Sequence, residues 1–268
     1  METKSISVAI HGATGRMGTR LIQLIQDDPR MTLGAAVDRP EHPKLGEDVG
    51  VVLGLGPLGV PLSCTLPETV PIDAVIDFST PAASVALVAA CRLRKIPVVV
   101  ATTGFEPEQL EEIRAAKDEI ALLISPNLSR AVNLLIRLAG EAAKALGDEA
   151  DVEIIERHHH FKKDAPSGTA LRLAEEVAGA IGIRKFVNGR EGQVGERPRG
   201  EIGLHALRTG DNPGEHTVVF GLMGECLELS HRALNRDGFA RGALDAAAFL
   251  AGKRPGLYAM SDLLGDTI

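Results

Sequence analysis

Cysteine is scarce in this chain. Its three residues, Cys64, Cys91 and Cys226, lie far apart, and none forms a CxxC pair. That set excludes a disulfide framework and fits buried free thiols in a reducing cytosol. Long apolar runs are missing too: none approaches the ~18 residues of a membrane span. The N-terminal stretch METKSISVAI has neither a long apolar core nor a small-residue cleavage site, so it does not read as a secretory signal. Basic charge is not in excess. The net charge of −7 argues against a nucleic-acid partner, because neutralising phosphates takes clustered Lys and Arg. It leaves room for an anionic small substrate, since a local basic pocket can sit on an acidic protein. Internal repeats and low-complexity tracts are also absent. These absences point to a cytoplasmic protein that works neither on nucleic acid nor in a membrane.

What is present is ordinary in bulk: 44% hydrophobic and 24% charged residues over 268 positions. A chain of that length reads as two modest domains and buries roughly three quarters of its unfolded surface, so it needs neither disulfides nor metals to hold together. Short apolar runs alternate with amphipathic stretches through the first half. Strands are predicted at residues 5–10, 31–37, 74–78, 96–101 and 120–124, and helices at 16–26, 82–93 and 107–117. Residues 40–71 read as a loop-rich excursion with room for one short helix. Ser79-Thr80-Pro81 reads as a helix start with a hydroxyl cap before proline. Strand–helix alternation with short connections implies a parallel sheet covered by helices. After Pro126 the character changes. Helices are predicted at 131–146 and 169–181, a strand at 152–156, a loop over 186–200, and three strands near 202–208, 217–221 and 226–232. Successive strands without helices between them imply a partly antiparallel sheet. A tail helix at 240–250 is expected to return to the first domain. The fold class is therefore α/β: a Rossmann-type parallel-sheet domain (1–129 and 234–268) plus an α+β domain with a mixed sheet (130–233).

Two motifs carry chemistry. The first, VAIHGATGRMG, sets Gly12, Gly15 and Gly18 after a strand and at the opening of a helix. Glycines there let the backbone turn tightly and approach a pyrophosphate, whose charge meets the helix N-terminus. Thr14 stands where the usual fingerprint has its second glycine. Asp38 ends the second apolar run about 20 residues after Gly18, where an acid holds the adenosine ribose hydroxyls. An acid alone favours NADH. Arg39 beside it, or Arg16, can pair with the extra phosphate of NADPH, so use of both coenzymes is expected.

The second motif is ERHHHFKKDAPSGTA, residues 156–170. Adjacent histidines on a strand point to opposite faces and chelate one ion poorly, and no HExxH accompanies them, so no metal is expected. Acid–base work fits better: imidazole and ammonium groups lie where a strand ends. Asp164-Ala165-Pro166-Ser167 reads as a helix start with Asp164 as cap. The N–H groups around Ser167, Gly168 and Thr169 are placed to hold a carboxylate. The other histidines, His11, His42, His205, His216 and His231, read as structural or ordinary loop and strand residues. Asn127, Ser129 and Asn133 cluster at the domain junction, where they can cap a helix, line a cleft, or both.

Together these stretches resemble the 4-hydroxy-tetrahydrodipicolinate reductase (dihydrodipicolinate reductase) family of the diaminopimelate route to lysine. ATTGF, PNLSRAVN, GREGQVGERPRGEIG and GEHTVVF add to the likeness, which spans nearly the whole chain; the HHxxKxDAPSGTA element is the specific part. The resemblance implies hydride transfer from NADH or NADPH to a cyclic conjugated imine dicarboxylate. It makes His158 the general acid/base and Lys162 the proton donor. His159, Lys163, Ser167, Gly168, Thr169 and Arg236 would contact substrate. Gly12, Ala13, Thr14, Gly15, Arg16, Met17, Asp38 and Arg39 would hold the dinucleotide, and Phe78, Ala101, Thr102, Thr103, Ser125, Pro126, Asn127 and Leu128 would line its nicotinamide side. It also implies a homotetramer assembled through the second domain. A cleft between the domains is expected to close on ligand, with hinges near Ser129 and Leu234. Ala101 and Ala131 stand where the family commonly has glycine. Two other readings stay open: a reductase of another aspartate-derived metabolite, which lacks a use for HHxxKxDAPSGTA, and a non-catalytic dinucleotide-sensing regulator, which has no need of proton donors.

Overall fold

The computed structural model describes residues 5–183 and 185–265. The chain divides into two compact units at Ser129/Arg130 and again at Arg236/Asp237. The second division falls beyond residue 233 because the returning helix begins at Asp237.

The first unit runs through β1 (Ile6–His11), α1 (Arg16–Gln26), β2 (Met31–Val37), α2 (Val49–Val52), β3 (Leu62–Ser63), β4 (Ala74–Asp77), α3 (Pro81–Arg94), β5 (Val98–Val100), α4 (Pro107–Ala115) and β6 (Ala121–Ile124). The second contributes α5 (Arg130–Leu146), β7 (Asp151–His158), α6 (Gly168–Ile181), β8 (Lys185–Asn188), β9 (Glu201–Arg208), β10 (Glu215–Leu222) and β11 (Glu225–Arg232). The chain then returns to the first unit as α7 (Asp237–Leu250), β12 (Gly256–Tyr258) and α8 (Met260–Leu264).

The first unit's strands form a seven-stranded sheet in the order β12-β6-β5-β4-β1-β2-β3. Every pairing in it is parallel. Alternate strand residues face opposite layers. Val8, Ile10, Ile76, Val99 and Leu123 pack with Leu21 and Ile22 of α1 and Leu244 and Ala247 of α7. Ala9, Val75, Val98, Val100 and Leu122 pack with Leu87, Val88 and Cys91 of α3 and Ile113 of α4. A parallel sheet buried on both faces explains why these strands read as unbroken apolar runs. The tail helix does return to this unit, and its tail adds an edge strand, β12, that the sequence reading lacked.

The second unit is a five-stranded mixed sheet in the order β11-β10-β7-β9-β8, antiparallel across β11-β10-β7 and parallel across β7-β9-β8. One face carries a core of Val152, Ile154, Ile202, Leu204, Val218 and Phe220 against Leu135 and Ala139 of α5 and Leu173 and Val177 of α6. Two predictions are corrected here. The stretch expected to be loop over 186–200 begins with β8, four residues paired to β9. The strand expected to stop at residue 156 continues through His158, because its polar residues Glu156 and His158 find partners on neighbouring strands.

Candidate functional site

In the first unit the glycine loop joins β1 to α1. Gly12 has φ +78°, and a Cβ there would stand 2.4 Å from Phe78 O. A Cβ on Gly18 would stand 2.2 Å from Gly12 O, so helix and loop are packed backbone to backbone. Gly15 is the N-cap of α1, and no side chain caps that helix. The N–H groups of its first turn are therefore left for an anion. Asp38, just past β2, accepts from the Thr14 N–H at 2.8 Å, from the Thr14 hydroxyl at 2.7 Å and from the Arg39 N–H at 2.9 Å. Burial raises the Asp38 pKa, but these hydrogen bonds outweigh it and hold the carboxyl below its ordinary range. Thr14, in the place of a glycine, thus anchors the loop to the end of β2. Arg16 and Arg39 are exposed on either side, and Ala13 and Met17 turn toward the core. A small anion-accepting cradle of backbone N–H groups with an acid beside it fits a dinucleotide.

The next strand end holds a residue the sequence reading passed over. Asp77, the last residue of β4, is fully buried. It accepts hydrogen bonds from the Ser79 hydroxyl at 2.6 Å, the Thr102 hydroxyl at 2.9 Å and the Ser84 hydroxyl, and pairs with His11 Nδ1 at 2.7 Å. Thr102 also accepts the Ser79 N–H at 2.9 Å. Its hydroxyl is therefore committed inward, whereas Thr103 and Gly104 are exposed. Thr80 is the N-cap of α3 but makes no side-chain cap, contrary to expectation; Ser84, inside the helix, donates back to Thr80 O. Phe78 is partly buried and Ala101 buried. Beyond β6, the Ser125 hydroxyl donates to Asn127 O at 2.8 Å, and Asn127 Oδ1 accepts the Ser129 N–H at 2.9 Å. This sets the turn that carries exposed Pro126 and buried Leu128.

In the second unit the site is built on the pleat of β7. Val152, Ile154, Glu156 and His158 are all buried on one face. Glu156 lies opposite His216 of β10, and His158 opposite Arg208 of β9. The core face of the sheet thus ends in a polar cluster. Glu156, 1% exposed, takes His158 Nδ1 at 2.5 Å and both Arg208 terminal nitrogens at 2.8 and 2.9 Å. Burial raises its pKa, but His158 and Arg208 reverse the effect and bring the carboxyl to about 2. His216 lies edge-on to His158 with ring centroids 5.2 Å apart. Burial, then the neighbouring His158, lowers the His216 pKa to about 3.

The start of α6 differs from expectation. Its N-cap is Ser167, whose hydroxyl accepts the Ala170 N–H at 3.2 Å, while Asp164 instead pairs with Lys162 Nζ at 2.9 Å. The Ser167 N–H donates to Glu156 Oε1 at 3.1 Å, and its hydroxyl lies 3.2 Å from His216 Nε2. Ser167 thus joins the start of α6 to Glu156 and His216. The helix tip is Gly168, exposed, with nothing within 4 Å of an added Cβ, followed by half-buried Thr169. Lys163 is exposed, and Arg236 is exposed just ahead of α7. His159 is partly buried, and its Nδ1 is buried with no hydrogen-bond partner among the described residues. Among the described residues no group of His, Cys, Asp and Glu is arranged to hold a metal ion.

The arginines of GREGQVGERPRGEIG turn back onto the outer face of this sheet. Arg190 and Arg197 both reach Glu153, at 2.8 and 2.9 Å, and His205 reaches it at 2.6 Å. An open groove of about 630 Å³ runs along this loop past Lys185, Arg190 and Arg197, and holds none of the expected substrate residues.

The sequence alone did not single out Glu156, Arg208 or Asp77, and His216 read as an ordinary strand residue. One signal was available for Glu156: alternation from Val152 through Ile154 puts it on the buried face, where a lone acid needs a partner. Arg208 and His216 become legible only with the strand pairing.

Comparison with known proteins runs the same way in both units. Residues 6–128 match the family model for dihydrodipicolinate reductase, N-terminus, and residues 131–264 that for dihydrodipicolinate reductase, C-terminus. The chain is 47% identical over 264 residues to a 4-hydroxy-tetrahydrodipicolinate reductase of Syntrophotalea carbinolica, covering 97% of this chain and 99% of that one. It is 47% identical over 272 residues to one from Rhodopirellula baltica, covering 98% and 97%. Among solved structures, dipicolinate-bound dihydrodipicolinate reductase from Paenisporosarcina sp. TG-14 superposes with a TM-score of 0.77 at 26% identity, covering 96% of this chain and 98% of that one. With both halves matched along their length and relatives at this identity, the chain belongs to the dihydrodipicolinate reductase family.

Proposed function

We propose that this chain is an NAD(P)H-dependent reductase that converts 4-hydroxy-tetrahydrodipicolinate to tetrahydrodipicolinate on the diaminopimelate route to lysine, with His158 and Lys162 handling the proton. The observation that carries the chemistry is the buried His158, its Nδ1 bound to Glu156 close to the tip of α6. When bound, the nicotinamide supplies a hydride to the conjugated C=C–C=N system of the substrate ring.

The chain's own residues do the rest. Residues 12–17 and Asp38 hold the dinucleotide, with Arg16 and Arg39 placed to accept the additional phosphate of NADPH. Gly168 and Thr169 seat a substrate carboxylate at the helix tip, where the backbone dipole favours an anion. His159, Lys163 and Arg236 add donors for the second carboxylate, and Lys162 delivers the proton to the reduced ring. A regulator that only senses a dinucleotide has no use for this acid–base set. The second unit also carries the homotetramer in this reading. Ile155 and Leu207 stand 39% exposed on the sheet face away from the core, suited to a second copy, and sedimentation velocity tests the stoichiometry. Among the described residues no helix is long and apolar enough to cross a membrane. We assign the enzyme to the cytoplasm.

The test is loss of reduced-coenzyme absorbance with freshly generated substrate. Wild-type protein is expected to oxidise both NADH and NADPH, with a preference below ~1000-fold, or roughly 4 kcal/mol. Lys162→Met is expected to lower turnover by about 10²–10⁴-fold while coenzyme binding, measured by fluorescence titration, persists. Turnover within a few-fold of wild type would remove Lys162 from this role.

A further inference from the structure

We infer that Glu156 is a positioning residue for proton transfer: clamped by Arg208, it fixes His158 as the Nδ1–H tautomer and leaves Nε2 as the nitrogen that gives and takes the proton. The inference rests on the reading of His158 as an acid–base residue.

The geometry converges on one carboxylate from three elements. His158 Nδ1 comes from the same strand at 2.5 Å, both Arg208 terminal nitrogens from β9 at 2.8 and 2.9 Å, and the Ser167 N–H from the start of α6 at 3.1 Å. His216 lies opposite Glu156 on β10. A purely structural carboxylate is satisfied by Arg208 and the Ser167 N–H alone. The imidazole contact is additional, and it sets which ring nitrogen carries hydrogen. Arg208 also donates to Asp164 O at 2.6 Å, and Asp164 pairs with Lys162 at 2.9 Å. The same guanidinium thus ties the turn bearing Lys162 to the strand bearing His158. On the far side of the ring Gly214 leaves space: an added Cβ would stand 3.0 Å from His158 Nε2.

The ionisable groups around His158 are Glu156 from its own strand, Arg208 from β9, His216 from β10 with His231 of β11 behind it, and Lys162 and Asp164 from the following turn. Glu156 remains ionised over the working pH range, since Arg208 and His158 hold its pKa low despite burial. A fixed anion beside Nδ1 stabilises the imidazolium that forms whenever Nε2 takes up a proton.

The test uses the full chain. In Glu156→Gln the amide still accepts from Nδ1, but the anion is gone. We expect kcat to fall about 10–100-fold, with coenzyme affinity unchanged and the KM for the dicarboxylate within about threefold. The limb of the kcat–pH profile that reports His158 is expected to move to lower pH by about one unit or more, a tenfold weaker proton affinity. In ¹⁵N-histidine spectra His158 is expected to be Nδ1-protonated in wild type and mixed in the variant. Glu156→Asp keeps the charge but shortens the reach. It is expected to fall between the two in kcat, with a smaller displacement of the limb.

A Glu156→Gln enzyme with wild-type kcat and pH profile overturns the inference, as does a loss of kcat with the limb unmoved and the tautomer unchanged. If Glu156→Gln does not fold, Glu156→Asp decides by the same readings: wild-type behaviour there overturns it. Failure of the underlying reading looks different. His158→Gln would then turn over normally, while the spectra would still report whether Glu156 sets the tautomer.

Discussion

Asp77 closes β4 in the parallel sheet, and Glu156 lies near the end of β7 in the mixed one. Each is buried, and each accepts a hydrogen bond from an imidazole Nδ1: His11 at 2.7 Å and His158 at 2.5 Å. Their remaining partners differ in kind. Among the described residues Asp77 is met by three hydroxyls, from Ser79, Ser84 and Thr102. Glu156 is met by a guanidinium and a backbone N–H. Rotatable hydroxyls can satisfy a carboxylate or its neutral replacement, so the first arrangement tolerates loss of charge. A bidentate guanidinium matches only an anion, so the second depends on charge. The first ties together the end of β1, the start of α3 and the loop after β5; the second ties β7 to β9 and to the start of α6.

The most demanding test of that contrast removes the cation. Arg208→Leu leaves Glu156 buried without its main counter-charge and should cost about 3–5 kcal/mol of stability. Asp77→Asn, which loses charge but little hydrogen bonding, should cost only about 1–3 kcal/mol. Urea unfolding followed by circular dichroism, with hydrogen exchange to assign each unit, measures both. Equal or reversed costs would break the comparison.

Glycines give the next largest effect. Gly12→Ala forces a side chain into a positive-φ position and into Phe78 O, at a cost of about 1–3 kcal/mol. Coenzyme affinity should fall at least about tenfold, which is 1.4 kcal/mol. Gly168→Ala meets open space at a helix start. It should leave stability within about 1 kcal/mol and show itself in the KM for substrate alone.

Acid provides the mildest probe. The folded His216 titrates near 3 rather than 6.5, so folding favours its neutral form. Its contribution is complete above about 6.5 and is lost progressively as pH falls from there toward 3. Glu156, at about 2 against 4.5, adds a second loss below about 4.5. The stability slope from this one histidine cannot exceed about 1.4 kcal/mol per pH unit. His216→Phe should flatten the decline in urea midpoint between pH 6.5 and 4.5. A slope unchanged in the variant would assign the acid sensitivity elsewhere.

The parallel sheet was legible because its strands are buried on both faces and its helices carry one apolar side. The bounds predicted for α1 and β2 coincide with those observed. The glycine loop and the His158–Lys162 stretch were legible as local structure, since spacing alone puts nitrogens at a strand end and N–H groups at a helix start. What stayed hidden depends on pairing. Glu156 and His158 looked like the end of a strand because polar residues interrupt its apolar run. Only β9 and β10, distant in sequence, supply the groups that let β7 continue. Asp77 was hidden for the same reason, its partners coming from β1, α3 and the loop after β5. The bond from the Ser167 N–H to an acid eleven residues earlier was hidden in the same way. β8 is four residues in a stretch rich in glycine and charge, too short to show a period.

Gly242, in the middle of α7, has a further implication. A Cβ there would stand 1.8 Å from Leu128 O, and one on Gly238 would stand 3.9 Å from Ser129 Oγ. The strand of chain leaving the nucleotide-type sheet and the helix coming back to it therefore touch. Residues 130–236 form an excursion that departs from and rejoins one spot, so exchanging that excursion for another module would demand almost no new loop closure from its host.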